Sequence, residues 1–192
     1  MSLVLTSGPT VEPITLAEAK AHLRVDQTAE DALIASLIIT SRLHIETALG
    51  LALITQSWSY FLDRWPKSCE IVLPLRPVQT INAVRIYSDN TTYVTLPGGA
   101  FSLDGTGLPA RAVRAATVVP VNPLRATGGI EFALTAGYGP AASSVPAPIR
   151  QALLLLVAHW YEHRDPIEIG MPETRIPAVV SDLLQPYKPV RL

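Results

Sequence analysis

The sequence predicts an α+β protein, in which a helical domain made from both chain ends (about three helices) carries an inserted antiparallel β module. Helical periodicity is confined to the first fifty residues and to one segment near the end. Between them lie short runs of branched and aromatic residues, separated by proline, glycine and Asp-Asn pairs. We therefore expect an N-terminal helical part at 1–50, an inserted β module at 51–145, and a C-terminal helix and extended tail at 146–192.

Two helices are predicted in the N-terminal part. The first lies in TLAEAKAHLRV, where Thr15 and Glu18 have the spacing of a capping box. The second lies in TAEDALIASLIITSRLHIETALG, where Thr28 and Asp31 repeat that spacing. Its apolar residues recur with a 3.6-residue period, and Gly50 is a natural helix stop.

The β module is predicted to contain about six strands. The candidate runs are ITQSWSYFLDRW, EIVLPL, INAVRIYSDNTTYVTL, GAFSLD, ARAVRAATVVPV and GGIEFALTAGYG. SDNT, between AVRIY and TYVTL, predicts a hairpin turn.

A third helix is predicted from about Ile149 to Arg164, with Pro148 in its first turn. It is apolar on nearly every side, with Trp160 expected in the core. Such a helix must be packed between other elements, and the N-terminal helices are the available partners. The remaining RIPAVVSDLLQPYKPVRL predicts one or two helical turns around AVVSDLL and then a proline-bounded extended tail.

The stretch HWYEH within this helix has the His-x-x-Glu-His spacing of the inverted zinc-protease motif. His159 and His163 are four residues apart and could bind one ion, with Glu162 as general base. A catalytic site needs a third protein ligand. The carboxylates that follow are Asp165, Glu168, Glu173 and Asp182. Only the last is a candidate for a helix, so we expect a helix end without metal, cofactor or catalytic residues, and keep a zinc hydrolase as the last alternative.

Composition favours a protein that buries surface in an assembly. Charged residues make up 16% of the chain, against about 25% in typical globular proteins. A net charge of −1 gives no overall attraction to nucleic acid or to a membrane. Cys69 is the only cysteine, which excludes an internal disulfide. The start of the chain lacks the basic and apolar segments of a signal peptide, so we expect a soluble protein.

Charge is unevenly distributed along the chain. Residues 1–63 contain 3 basic and 7 acidic side chains, whereas residues 64–128 contain 7 basic and 3 acidic ones. The basic set includes Arg111, Arg114 and Arg125, which we regard as a possible DNA-facing group. The alternative is an ordinary solvated surface, because scattered arginines without interleaved aromatic residues are a weak nucleic-acid signal.

Five segments together resemble the head–tail connector (adaptor) proteins of tailed bacteriophages and gene-transfer particles. They are PITLAEAKAHLRVD (13–26), DALIASLI (31–38), IETALGLALITQSW (45–58), VPAPIRQALLLLVAHWYEHRD (145–165) and IPAVVSDLLQPYKPVRL (176–192). The resemblance covers both helical ends and leaves the β module unassigned.

The resemblance implies a structural virion protein, made in the bacterial cytoplasm and located at the head–tail junction. Such proteins assemble as a ring, generally of twelve subunits, that binds the portal protein and a stopper or tail-completion protein. Genome DNA passes through the lumen, and no membrane is involved. An alternative function is a β-type binding module for sugars or host surfaces on a helical anchor. An exposed aromatic cluster would favour that alternative, but the three tryptophans look mostly buried.

The C-terminal tail is the predicted portal-docking element. Its prolines hold the chain extended, and an extended segment tends to add to the edge or groove of a partner. The residues assigned to docking are Pro186, Tyr187, Lys188, Arg191 and Leu192. The alternative is a tail folded back on its own helical domain, with Leu183 and Leu184 in the core.

Overall fold

The structure is a computed structural model that describes residues 1–105, 109–119, 121–163 and 177–188. The chain divides into two compact units. One unit contains Met1–Thr10 and Gly50–Tyr138, and the other contains Val11–Leu49 and Gly139–Leu192. The first is built of β-strands and the second of helices, which confirms the predicted α+β class.

Eight strands form the β unit in its described part, in two antiparallel sheets. The order in the larger sheet is β1-β2-β8-β4-β5, and in the smaller sheet β3-β7-β6. The strands are β1 (Ser2–Ser7), β2 (Gln56–Leu62), β3 (Glu70–Val72), β4 (Val78–Tyr87), β5 (Tyr93–Thr95), β6 (Phe101–Asp104), β7 (Arg111–Arg114) and β8 (Ile130–Ala136). Each of the six predicted runs contains a strand, and the run interrupted by SDNT contains two.

The core of the β unit is centred on Phe132 in the middle strand of the larger sheet. Phe132 pairs in register with Tyr60 on one side and Val84 on the other. The ring of Phe101, from the smaller sheet, meets it edge-on at 5.1 Å between centroids. Trp65 stacks on Phe101 at 5.7 Å. Side chains of both sheets therefore share one apolar cluster, as alternation with period two requires.

Four helices form the described part of the helical unit: α1 (Leu16–Leu23), α2 (Asp31–Leu49), α3 (Ala147–Glu162) and α4 (Ala178–Leu184). The predicted capping box at the start of α1 is present, with Glu18 N donating to Thr15 Oγ1 and Thr15 N to the Glu18 carboxylate. Helix α2 packs against α1 and α3, and α3 also packs against α4. Ile34, Ile45 and Leu153 are fully buried at these contacts.

Strand β1 corrects the expectation that the first fifty residues are a helical part. Ser2–Ser7 pairs antiparallel with β2 at the edge of the larger sheet. Its sequence, SLVLTS, has no turn signal or clear alternation, and all its residues except Leu3 are exposed. This segment is a strand because it pairs with β2, and not because it buries an alternating apolar face. The pairing cannot be predicted from the local sequence.

Three further expectations about the helices need correction. Helix α2 begins at Asp31, so Thr28 does not cap it; Asp31 N donates instead to the carbonyl of Thr28, at 3.2 Å. The Asp31 carboxylate accepts from Lys20 at 2.6 Å. Helix α3 is not buried all round, and Trp160 is partly exposed near its end. The tail is not extended throughout, because a 3₁₀ turn continues α4 at Gln185–Tyr187.

Candidate functional site

The HWYEH segment is the end of a helix. Helix α3 ends at Glu162, and His163 Nδ1 lies 2.9 Å from the carbonyl oxygen of His159. The two imidazole rings are 4.7 Å apart. Among the described residues, no three metal-binding side chains are grouped so that they could hold one ion. Asp182 is exposed on α4, whereas Asp165, Glu168 and Glu173 lie outside the described residues.

The predicted DNA-facing arginines have separate partners. Arg111 Nη1 donates to Glu70 at 2.7 Å on an exposed surface. Arg114, three residues along the same strand, is directed toward Cys69, with Nη2 3.5 Å from Sγ. Arg125 lies in a loop, with its guanidinium 5.4 Å from the ring centre of Tyr87. Successive strand residues face opposite sides of a sheet, so Arg111 and Arg114 do not share one face.

A polar network that the sequence analysis missed crosses the larger sheet at Glu131. This buried carboxylate accepts hydrogen bonds from Ser59 at 2.6 Å, Tyr87 at 2.8 Å and Arg85 at 3.0 Å. Burial by itself raises the pKa of Glu131, but the three hydrogen bonds and the charge of Arg85 outweigh it and leave the pKa lowered. Its donors come from strands on both sides, so their convergence was not apparent from sequence spacing. The network joins β2, β4 and β8.

The other aromatic residues of the β unit form no large exposed cluster in the described part. Tyr87 and Tyr93 lie 5.2 Å apart, and Arg85 lies 5.3 Å from the Tyr93 ring centre. Trp58 and Trp65 are partly buried. This tyrosine–arginine pair is much smaller than the stacked platforms that bind sugars or single-stranded nucleic acid.

The tail is partly folded onto its own unit. Val180 and Leu184 of α4 are buried. A groove of about 330 Å³ lies beside them, lined by residues of α2 and α4 and by Lys188. Pro186 and Lys188 are exposed and Tyr187 is partly buried. The chain leaves the 3₁₀ turn in an extended conformation at Lys188, with ψ 141°. Arg191 and Leu192 lie outside the described residues.

Helix α2 has an exposed side with unusual composition. Leu33, Ile39 and Leu43 remain 38%, 43% and 48% exposed. The helix is also long and apolar enough to cross a membrane, with a mean hydropathy of 1.4 over 18 residues. A core helix passes the same test. The buried pair Arg42 and Glu46, together with packing against α1 and α3, identifies α2 as the core helix of this unit.

Arg42 connects α2 to the segment that precedes α1. Its guanidinium donates to Glu12 through Nε at 2.7 Å and Nη2 at 3.2 Å, and to Glu46 through Nη1 at 2.9 Å. Burial opposes the charged form, but the hydrogen bonds and charges of the two carboxylates outweigh it, and the pKa of Arg42 is raised. Arg150 of α3 similarly contacts Glu18 and donates to the carbonyl of Pro13 at 3.1 Å. These two arginines fix the entry to α1.

A groove of about 480 Å³ lies beside this entry. Its walls come from the segment before α1, from the middle of α2, and from the turn before α3. Apolar side chains dominate the lining, among them Val11, Leu16 and Ile39. A shallower concavity of about 440 Å³ follows along α2, lined by Leu43 and its neighbours. Concave apolar surface of this kind is suited to protein docking.

The concave apolar surfaces beside α2 and its exposed leucine and isoleucine side chains are features of a protein that binds other proteins. The model of the head completion protein family matches residues 12–190. The chain belongs to the head completion protein family, and is thus a structural protein of the virion head–tail junction.

Three solved structures are similar over the whole chain. The neck of an empty gene transfer agent (GTA) particle, computed with C6 symmetry, has 27% identity and a TM-score of 0.84. The virion of a native GTA particle has 26% identity and a TM-score of 0.83. The neck of a native GTA particle, computed with C12 symmetry, has 27% identity and a TM-score of 0.80. Each match covers 100% of this chain and 97% of the other chain. No curated protein sequence matches this chain.

Proposed function

We propose that this protein forms a ring of twelve copies beneath the portal and links the head to the stopper or tail-completion protein. The observation that carries the proposal is the similarity, over 100% of this chain, to components of GTA necks. The cyclic symmetry of those particles supports a ring, and the low charge content of this chain supports extensive burial in an assembly. The role is structural, with no catalytic step.

We further propose that the end of the tail binds the portal protein. Lys188 is exposed and extended, and the described part of the docking segment, Pro186 to Lys188, lies beyond the buried residues of α4. Tyr187 supplies an aromatic anchor, and Lys188 and Arg191 supply positive charge for an acidic portal surface. Leu183 and Leu184 belong to the folded α4, so the structural and the docking parts of the tail divide near Gln185.

We also propose that DNA passes through the lumen of the ring. The positions of the candidate arginines give little support for tight binding of that DNA. Glu70 balances Arg111, and Arg114 lies on the opposite face of β7. A surface that lets a genome slide past should make few fixed phosphate contacts, because each one contributes affinity. We therefore propose that Arg114 and Arg125 make only weak, non-specific contacts with the DNA.

Truncation after Gln185 tests the proposed docking role. The shortened protein retains Val180 and Leu184, so it should keep the melting temperature of the full chain. It should nevertheless fail to join portal-containing heads in a sedimentation assay. A control truncated after Ala178, which lacks these core residues, should unfold at a lower temperature. A Gln185 truncation that still binds heads would show that the docking surface lies elsewhere.

The isolated protein is expected to be monomeric or weakly associated, with the ring forming on the portal. A net charge of −1 provides little repulsion between copies, so an adaptor that avoids assembly before its platform is present must do so through a weak contact between subunits. Light scattering at micromolar concentration measures this directly. Stable dodecamers without a portal contradict this assembly order, while leaving the ring itself intact.

A further inference from the structure

The outward surface of α2 contains no charged residue. Nine positions of the helix are exposed, and we call them the α2 outer face. They are Ala32, Leu33, Ser36, Ile39, Thr40, Leu43, His44, Thr47 and Ala48. A helix face in contact with water is normally rich in Lys, Glu, Arg and Asp. This face has none of them over more than four turns.

The charged residues of α2 are all used elsewhere. Arg42 and Glu46 are buried and bonded to each other, and Arg42 also binds Glu12. Asp31, at the start of the helix, pairs with Lys20 of α1. The lack of charge on the outer face is therefore a property of that face, not of the helix as a whole. A contiguous uncharged surface with protruding Leu and Ile side chains marks an interaction site.

The shape of the α2 outer face is suited to packing against the surface of another protein. Leu43 lines the 440 Å³ concavity, and Ile39 lies at the border of the 480 Å³ groove. Exposed aliphatic side chains and two concavities therefore lie along one helix. Such a surface packs by interdigitation of side chains, as helices do with one another. It is not suited to DNA, which requires cations opposite its phosphates.

We propose that the α2 outer face is the contact between neighbouring copies of this chain in the ring, an inference that rests on the proposed function. In a closed ring each copy touches two others, so copies of this chain are its most numerous neighbours. Ring contacts are heterologous, which means that the α2 outer face of one copy meets a different surface of the next. A face without Lys, Arg, Asp or Glu matches such a contact, whereas the positively charged tail matches the portal.

The size of this face explains why the ring should need a platform. Nineteen residues at about 1.5 Å each give a helix about 28 Å long, and a helix is about 10 Å wide. The product, about 280 Å², is well below the roughly 800 Å² per partner of a stable interface. Two copies should therefore associate weakly in solution, and the contact should persist only when the portal holds many copies side by side.

Photo-crosslinking in assembled particles tests the contact. A benzophenone amino acid is introduced at position 43 in place of Leu43, and the control carries it at Gln151, which is exposed on α3. Irradiation should join position 43 to a second copy of this chain, identified by mass spectrometry of the crosslinked peptides. The position 151 control should give clearly less of this product. Position 43 crosslinked mainly to the portal or to another virion protein overturns the inference.

A charge substitution provides a second test. Leu43→Glu should leave the melting temperature within a few degrees, because residue 43 is exposed. It should reduce the number of copies per particle at least tenfold, whereas Gln151→Glu should not. Normal incorporation of Leu43→Glu overturns the proposed contact. Absence of the unmodified chain from purified particles overturns the proposed function instead. Leu43-dependent flotation with neutral lipid vesicles identifies a membrane-binding face and also overturns the ring contact.

Discussion

Replacing Arg42 by methionine should cost about 3 kcal/mol of unfolding free energy. The side chains of Arg42 and Glu46 are 8% and 9% exposed, while that of Glu12 is 29% exposed. Removing the cation takes the positive charge away from the buried Glu46 carboxylate, and breaking a buried pair from one side typically costs about 3–5 kcal/mol. We take the lower end because water still reaches Glu12. For a chain of 192 residues this is a fall in Tm of about 6–12 °C.

The measurement is urea unfolding of Arg42→Met, alone and combined with Glu46→Gln. The second substitution removes the buried negative charge of Glu46, so the double variant should regain most of the loss. Arg111→Met is the matched control, because its salt bridge with Glu70 is about half exposed on both sides and should contribute less than about 1 kcal/mol. Equal losses in Arg42→Met and Arg111→Met, or no recovery in the double variant, would refute the assignment of a buried-charge penalty.

The remaining predictions concern packing, metal binding and pH. Leu153→Ala should destabilise the protein by about 2–5 kcal/mol, because Leu153 is fully buried. Trp160→Ala should destabilise it less, because Trp160 is only partly buried. The opposite ranking in thermal unfolding would place Trp160 in the core. His159→Ala and His163→Ala should leave the metal content of the purified protein unchanged, and stoichiometric zinc lost from either variant would contradict this. Hydrogen bonds from the backbone of residues 91 and 92 lower the pKa of Asp89 from 3.8 to about 2, so its ionised form stabilises the hairpin above pH 3.8. Asp89→Ala should therefore be less stable than the parent chain at neutral pH, and this difference should shrink between pH 3.8 and 2; a difference independent of pH would show that the carboxylate charge is not responsible.

The secondary structure of this chain was largely determined by local sequence. The Thr15–Glu18 capping box, the stop of α2 at Gly50 with φ +63°, and the SDNT turn depend on residues within a few positions of one another. Such contacts form in the same way in most tertiary environments. The strand runs of the β unit were likewise recognisable, because their branched residues are bounded by turn residues.

The tertiary structure decided which of these elements meet and which faces they leave open. Ser2–Ser7 is a strand only because β2 offers an edge to it, and Glu131 is stabilised by side chains 46 and 72 residues away in the chain. Periodicity alone predicted an amphipathic α2, but not that Arg42 and Glu46 lie inside while Leu33 and Leu43 lie outside. That inversion is possible because Glu12, brought beside α2 by the fold, completes the pairing of a buried arginine. The residue types on each side of α2 are given by the sequence, but long-range contacts such as this one decide which side is exposed.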